Sequence, residues 1–240
     1  MAQFIEALVD PKTWLIFVYA VCSQIPNGGL TSFGSIVVEG FGFDTFTTIL
    51  LSIPSSAFGL FFVLSSTYIA HRFKYSRCIL IAVLQIVALT GCTMVYKLPM
   101  TSKWARLSAL WLFSAYAACL PIIFAIVASN VAGYTKETTV LAILFIGYCA
   151  GNIVGPQLFF ANEAPEYYSA FEGIIVCIVL SVVSIMVMRQ YMVWENKRRD
   201  REQGVEIDPE SKEKVNTEEH LVQTGLDETD WVNKRFRYYL

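Results

Sequence analysis

Five uncharged polar side chains stand out within long apolar stretches: Gln24, Asn27, Tyr116, Tyr148 and Asn152. Amides and phenols give and accept hydrogen bonds without carrying charge. Away from water each must find a partner, in the protein or in something bound to it. Asn27 belongs to the run Gln24-Ile-Pro-Asn-Gly-Gly29, near the middle of its stretch. Proline removes a backbone donor and paired glycines loosen a helix. Freed backbone groups of this kind recur where membrane carriers meet a solute. The bland alternative is a packing kink filled by a neighbouring side chain. Tyr148 and Asn152 flank Gly147, Gly151 and Gly155, spaced four apart and so stacked on one helix face. That stripe reads as helix packing. Asn152 serves either a cavity or an interhelical hydrogen bond.

Other chemistries lack their residues. His71 and His220, both in polar stretches, are the two histidines, so no membrane-embedded serine–histidine pair or metal site is expected. Paired carboxylates are missing from the cores of the apolar stretches, and no glycine-rich nucleotide loop precedes a helix. Neither an enzyme nor a cofactor is expected. Cys22, Cys78, Cys92, Cys119, Cys149 and Cys177 all fall in apolar stretches without C-x-x-C spacing, and read as small buried hydrophobes. No basic face suits nucleic acid.

The elements that carry these residues are six apolar segments: Trp14–Val38, Thr48–Ala70, Cys78–Tyr96, Leu107–Ala128, Thr138–Phe160 and Ala170–Met188. Each approaches the ~20 residues that cross a bilayer core, and none has an acidic or basic residue at its centre. Helices are expected, because a lipid-exposed backbone must satisfy its own hydrogen bonds. Pro54 with Ser52, Ser55 and Ser56 marks segment two, and Pro121 marks segment four. Serines here most often bond their own helix, so they are weak signals. Asn130 with Gly133 reads as a helix end and turn. Met1–Asp10 has no Lys or Arg, unlike the start of a signal peptide, so the first segment is expected to stay in the membrane.

The chain is 55% hydrophobic and 16% charged, against about 25% charged in soluble domains. Half of the 18 Lys and Arg, and 12 of the 20 Asp and Glu, lie beyond residue 194. Residues 1–194 therefore read as the membrane domain and 195–240 as a charged, largely disordered tail. Its aromatic end, with Trp231, Phe236, Tyr238 and Tyr239, is read first as a solvated tail, and second as a short element that folds back on the membrane face or a partner. Lys12, Arg72, Lys74, Arg77, Lys136, Arg189, Lys197, Arg198, Arg199 and Arg201 fall on one side of the segments, and Lys97, Lys103 and Arg106 on the other. By the positive-inside rule both termini are expected in the cytoplasm.

Ser129-Asn-Val-Ala-Gly-Tyr-Thr-Lys-Glu-Thr-Thr139 and Phe145-Ile-Gly-Tyr-Cys-Ala-Gly-Asn-Ile-Val-Gly-Pro-Gln157 resemble the fungal allantoate permease family. These are anion:cation symporters of the major facilitator superfamily. Glu163-Ala-Pro-Glu-Tyr167 and Leu226-Asp-Glu-Thr-Asp-Trp-Val-Asn-Lys-Arg-Phe-Arg-Tyr-Tyr-Leu240 fit the same resemblance, which covers essentially the whole chain. It implies an all-α membrane fold, with the six segments as helices seven to twelve of a twelve-helix bundle. It also implies a multi-pass plasma-membrane protein in contact with lipid, with the first six-helix half missing from this chain. The implied activity is proton-coupled alternating-access transport of a small organic anion or vitamin such as allantoate, nicotinate or pantothenate. Thr67-Tyr-Ile-Ala-His-Arg-Phe-Lys-Tyr-Ser-Arg77 stands where the superfamily repeats its acidic–arginine loop. The arginine persists and the glycines and aspartate do not, so no salt-bridge gate is expected there. Two other readings stay open: a non-transporting product that pairs with a full permease, and a six-helix carrier that dimerises.

Overall fold

The computed structural model describes residues 1–73, 76–99, 101–203 and 227–239. Regular structure among them is helical throughout: α1 (Ala2–Val9), α2 (Pro11–Gly40), α3 (Thr45–Arg72), α4 (Arg77–Lys97), α5 (Lys103–Phe113), α6 (Cys119–Asn130), α7 (Tyr134–Val154) and α8 (Tyr168–Gln203). A 3₁₀ stretch, Ser114–Ala118, joins α5 to α6 into one column. Its position has a local cause. Pro121 offers no N–H to the carbonyl of Ala117, and the preceding turn tightens instead. Starts are set by side chains. The Asp10 carboxylate accepts from the Lys12 backbone N–H at 3.0 Å, with Pro11 at the first helical position of α2. Asp44 caps α3 through the backbone N–H of Thr47. The turn after Asn130 uses Gly133 at φ +95°, a conformation that side chains disfavour.

Five helical columns are long and apolar enough to cross a bilayer: α3, α4, α5–α6, α7 with its 3₁₀ extension to Leu158, and α8. The sixth expected span, α2, has 30 residues, about 45 Å at 1.5 Å per residue, but falls short in apolarity. Gln24, Asn27 and the surrounding small residues dilute it. It can be polar because it lies inside the bundle, packed along α7 and α8. The expected break at Pro26–Gly29 does not occur either, because α2 runs through it.

Apolar side chains pack in two clusters. One, around Ile81, Ile123, Leu144 and Met188, lies toward the chain's beginning, and the other, around Phe41, Phe113, Phe159 and Ile174, toward the opposite end. Outward faces stay apolar: Phe46, Ile53, Leu64, Ile146, Ile153 and Val176 are all more than half exposed. Such a surface would drive a water-soluble protein to aggregate and suits lipid. The extreme case is α3, with 6% of its apolar window buried.

Two further expectations change. Cys149 is exposed and Cys177 half-buried, so only four of the six cysteines are fully buried hydrophobes. Glu172 lies near the start of segment six, away from its centre. It is exposed, and accepts from the Tyr96 hydroxyl at 2.6 Å. The chain's end is not solvated: Asp230, Phe236 and Tyr238 are 0%, 4% and 3% exposed. They return to the bundle because buried lysines at the starts of α2 and α7 receive the aspartate. Most of the tail expected to be disordered, 204–226, lies outside the described residues.

Candidate solute site

Three of the five polar residues meet. The Tyr116 hydroxyl donates to the Asn27 side-chain carbonyl at 3.0 Å. The Asn27 amide donates to the Asn152 side-chain carbonyl at 2.8 Å, and the Asn152 amide donates to the backbone carbonyl of Tyr148 at 2.9 Å. The result is one directional chain of hydrogen bonds across the 3₁₀ stretch, α2 and α7. Each link polarises the next, so the row is stronger than its members taken singly. All three side chains are half-buried. Tyr148 enters through its backbone, while its ring packs edge-on against Phe145 at 6.3 Å. Gln24 does not join: it is buried, and its Cβ lies where a side chain on Gly151 would go.

What brings α2 and α7 this close is glycine on both sides. A Cβ on Gly28 would stand 2.5 Å from the Asn152 carbonyl oxygen, and one on Gly151 2.6 Å from that of Val21. A Cβ on Gly155 would collide with the Ile25 carbonyl, and one on Gly147 would meet Ala20 at 3.0 Å. The obstructing atoms are mostly backbone and have nowhere to move. Pro156 adds to this, because it offers no N–H to the carbonyl of Asn152, the carbonyl that faces Gly28. The glycine pair of α2 is thus the counterpart of the α7 stripe rather than a point of unwinding.

Tyr116 also borders a cavity of about 490 Å³ between α2, α3 and the α5 column. The volume is in the ordinary range for small-molecule sites. Hydroxyls dominate its polar lining: Thr31, Ser35, Thr48, Ser52, Ser55 and Ser56, with Ser114 and the indole of Trp111. No acidic or basic side chain lines it. Ser52 and Ser56 return their protons to the carbonyls of Ile49 and Ser52, leaving oxygen lone pairs as acceptors. The Thr48 hydroxyl and the Trp111 indole N–H are buried without a hydrogen-bond partner. The α3 serines, weak signals in the sequence, are therefore part of the cavity wall.

Sequence reading missed a second polar node. Tyr19, Ser23 and Gln85 are buried in the first apolar cluster's region, and the Tyr19 hydroxyl and Gln85 amide lack partners. Gln85, the one amide in the third segment, was its available signal. Arg77, from the degenerate loop motif, donates to the Ala125 carbonyl at 3.1 Å, while Lys74 of that motif is outside the described residues. Among the described residues no group of three or more His, Cys, Asp or Glu could hold a metal ion.

No family model and no solved structure matches the chain. Similarity to known proteins is nevertheless extensive. The allantoate permease of Saccharomyces cerevisiae is 34% identical over 99% of this chain and 44% of its own length. The MFS-type transporter cnsL of Penicillium expansum is 33% identical over 99% of this chain and 47% of its own. The thiamine pathway transporter THI73 of S. cerevisiae is 30% identical over 96% and 42%. The chain spans about half the length of the curated relatives it matches. These relatives are transporters, not enzymes, and the five span-capable columns here suit a membrane protein. A half-length helical membrane chain, it belongs to the family of major-facilitator-type transporters that includes allantoate permease.

Proposed function

We propose that this chain is the second six-helix half of a carrier for a small organic solute, and that the Asn27–Tyr116–Asn152 row and the adjoining cavity form its share of the solute site. The observation that carries this reading is the shared residue. Tyr116 lines a ligand-sized cavity and begins the hydrogen-bonded row joining α2 to α7. A solute accepting from Tyr116 would change the row that holds the two helices, which links occupancy to helix position. Tyr148 and Gln24 stand nearby and are assigned supporting contacts. Allantoate, nicotinate and pantothenate are the solutes to try first. The cavity supplies hydroxyls and an indole but no charge, so the solute's carboxylate and a coupling proton are met by the other half. The two halves rock about the site. Both termini face the cytoplasm, on the ten-to-three division of Lys and Arg, and the membrane is the plasma membrane.

The test is uptake by the chain paired with the first half of a related permease. Asn27→Ala and Asn152→Ala are expected to raise the apparent KM at least tenfold at normal surface expression. An unchanged KM for both would assign the pair to packing and remove them from the site.

A further inference from the structure

At the end of the bundle where the chain begins, α1, the start of α2, the α6–α7 connection and the end of α8 surround residues 227–239. We infer that this end is a peptide-recognition site, and that 227–239 is its ligand: a separable segment read as a peptide, through one carboxylate anchor, one phenol anchor and its main chain.

The carboxylate anchor is Asp230. Its two oxygens receive Lys12 and Lys136, each at 2.7 Å. Both lysines stand in the first turn of their helices, where a cation is disfavoured and an anion favoured. A carboxylate is favoured there, and Asp230 joins Glu6, which accepts from Lys136 at 2.7 Å. Lys12 and Lys136 are 3% and 0% exposed, and Asp10 lies within 3.4 Å of the first and 3.2 Å of the second. The phenol anchor is Tyr238. Its hydroxyl donates to Asp230 at 2.7 Å and accepts from Arg199 at 3.0 Å, and its ring lies under the Lys12 ammonium at 3.8 Å.

The main chain is read by side chains. The Asn196 amide donates to the Tyr238 carbonyl and its oxygen accepts from the Tyr238 N–H, both at 2.9 Å. The Asn130 side-chain oxygen accepts from the Tyr239 N–H at 2.6 Å, and Arg199 donates to the Phe236 carbonyl at 3.0 Å. Two-sided amide contact with a backbone is how proteins hold extended peptides, because it selects conformation without demanding a particular side chain. Residues 204–226 separate the segment from α8. At about 3.4 Å per extended residue that is enough chain for it to leave without moving α8. The ligand class is thus a peptide with an aspartate and, eight residues on, a tyrosine preceded by an arginine, Arg237, whose guanidinium donates to Asp200 at 2.7 Å. The chain's own end supplies it in cis, and the same peptide binds in trans when that end is removed. This site is independent of which solute the helices carry.

Hydrogen–deuterium exchange on the whole chain in nanodiscs tests occupancy. The amides of Tyr238 and Tyr239 are expected to exchange at least 100-fold more slowly than in a free 227–240 peptide. Asn196→Ala should bring Tyr238 to within threefold of the free peptide while α7 amides keep their rates. Peptide-like exchange in the unsubstituted chain, or protection indifferent to Asn196→Ala, would overturn the proposal. Separability is tested with a chain ending at Gln203 and a fluorescent 227–240 peptide. Saturable binding is expected, at least tenfold weaker with Asp230→Asn in the peptide and absent for a scrambled sequence. Equal binding of the scrambled peptide, no binding by a shortened chain of normal helix content, or a shortened chain that does not fold would each show the segment not to be a ligand.

Discussion

At the scale of single residues, burial decides what each polar group can do. Asp230 is the clearest case among the ionisable ones. Burial alone would raise its carboxyl pKa, but Lys12 and Lys136 outweigh burial and hold it down to about 2. A carboxylate whose folded pKa is depressed stabilises the fold above its unfolded value, near 3.9, and that contribution is lost as pH falls toward 2. The 227–239 segment is therefore expected to stay docked down to about pH 4 and to release between there and pH 2, with Trp231 fluorescence as the readout. Asp230→Asn should remove this acid transition. Tyr116→Phe offers a second check. It deletes the donor to Asn27 and leaves the ring, so a rise of roughly threefold to tenfold in apparent KM is expected with little change in expression, about the effect of one hydrogen bond. How much of this was legible differs by residue. Asn27, Tyr116 and Asn152 stood out as amides and a phenol in apolar stretches, because few residue types are out of place there. That Gln24 packs against Gly151, or that Tyr148 contributes a backbone carbonyl, depends on helix rotation, which a glycine-rich, weakly amphipathic helix does not encode in its periodicity.

At the scale of elements, the contact between α2 and α7 organises the rest. Five glycines stand along Gly28-Gly29 and the α7 region, and spacing alone marks only the α7 set as packing. The two sets are mates: each lets the other helix's backbone approach, and neither spacing alone names its partner. Gly155→Ala places a methyl against the Ile25 carbonyl, with the Gly29 backbone nitrogen 2.6 Å away. A loss of about 1–3 kcal/mol is expected from such overpacking. A detergent thermal-denaturation series should show it, with Gly34→Ala, where a Cβ meets nothing within 4 Å, as the neutral control. The same contact explains why α2 is less apolar than a lipid-facing span. The 3₁₀ stretch of Ser114–Ala118 follows from Pro121, which is visible in the sequence but acts one turn earlier in the chain.

At the scale of the molecule, the six segments were legible because the bilayer fixes their length and polarity. The return of 227–239 was not, because charge and aromatic content describe equally well a solvated tail and one neutralised by buried lysines. Only long-range geometry separates them. What remains apolar and outward also speaks to function. α3 presents Phe46, Ile49, Ile53 and Phe61 with little of its length covered. The cavity at its side is walled by α2, α3 and the α5 column alone. As proposed, this wall is one part of a solute site and needs another half to carry anything. The most direct measurement is uptake of radiolabelled allantoate and nicotinate in permease-deficient yeast, with the chain expressed alone and together with the first six-helix half of a related permease. Saturable uptake of at least one solute with the two halves together, and background uptake with either alone, is the predicted result. Saturable uptake by this chain alone, or none from a pair that assembles at the cell surface, would contradict it.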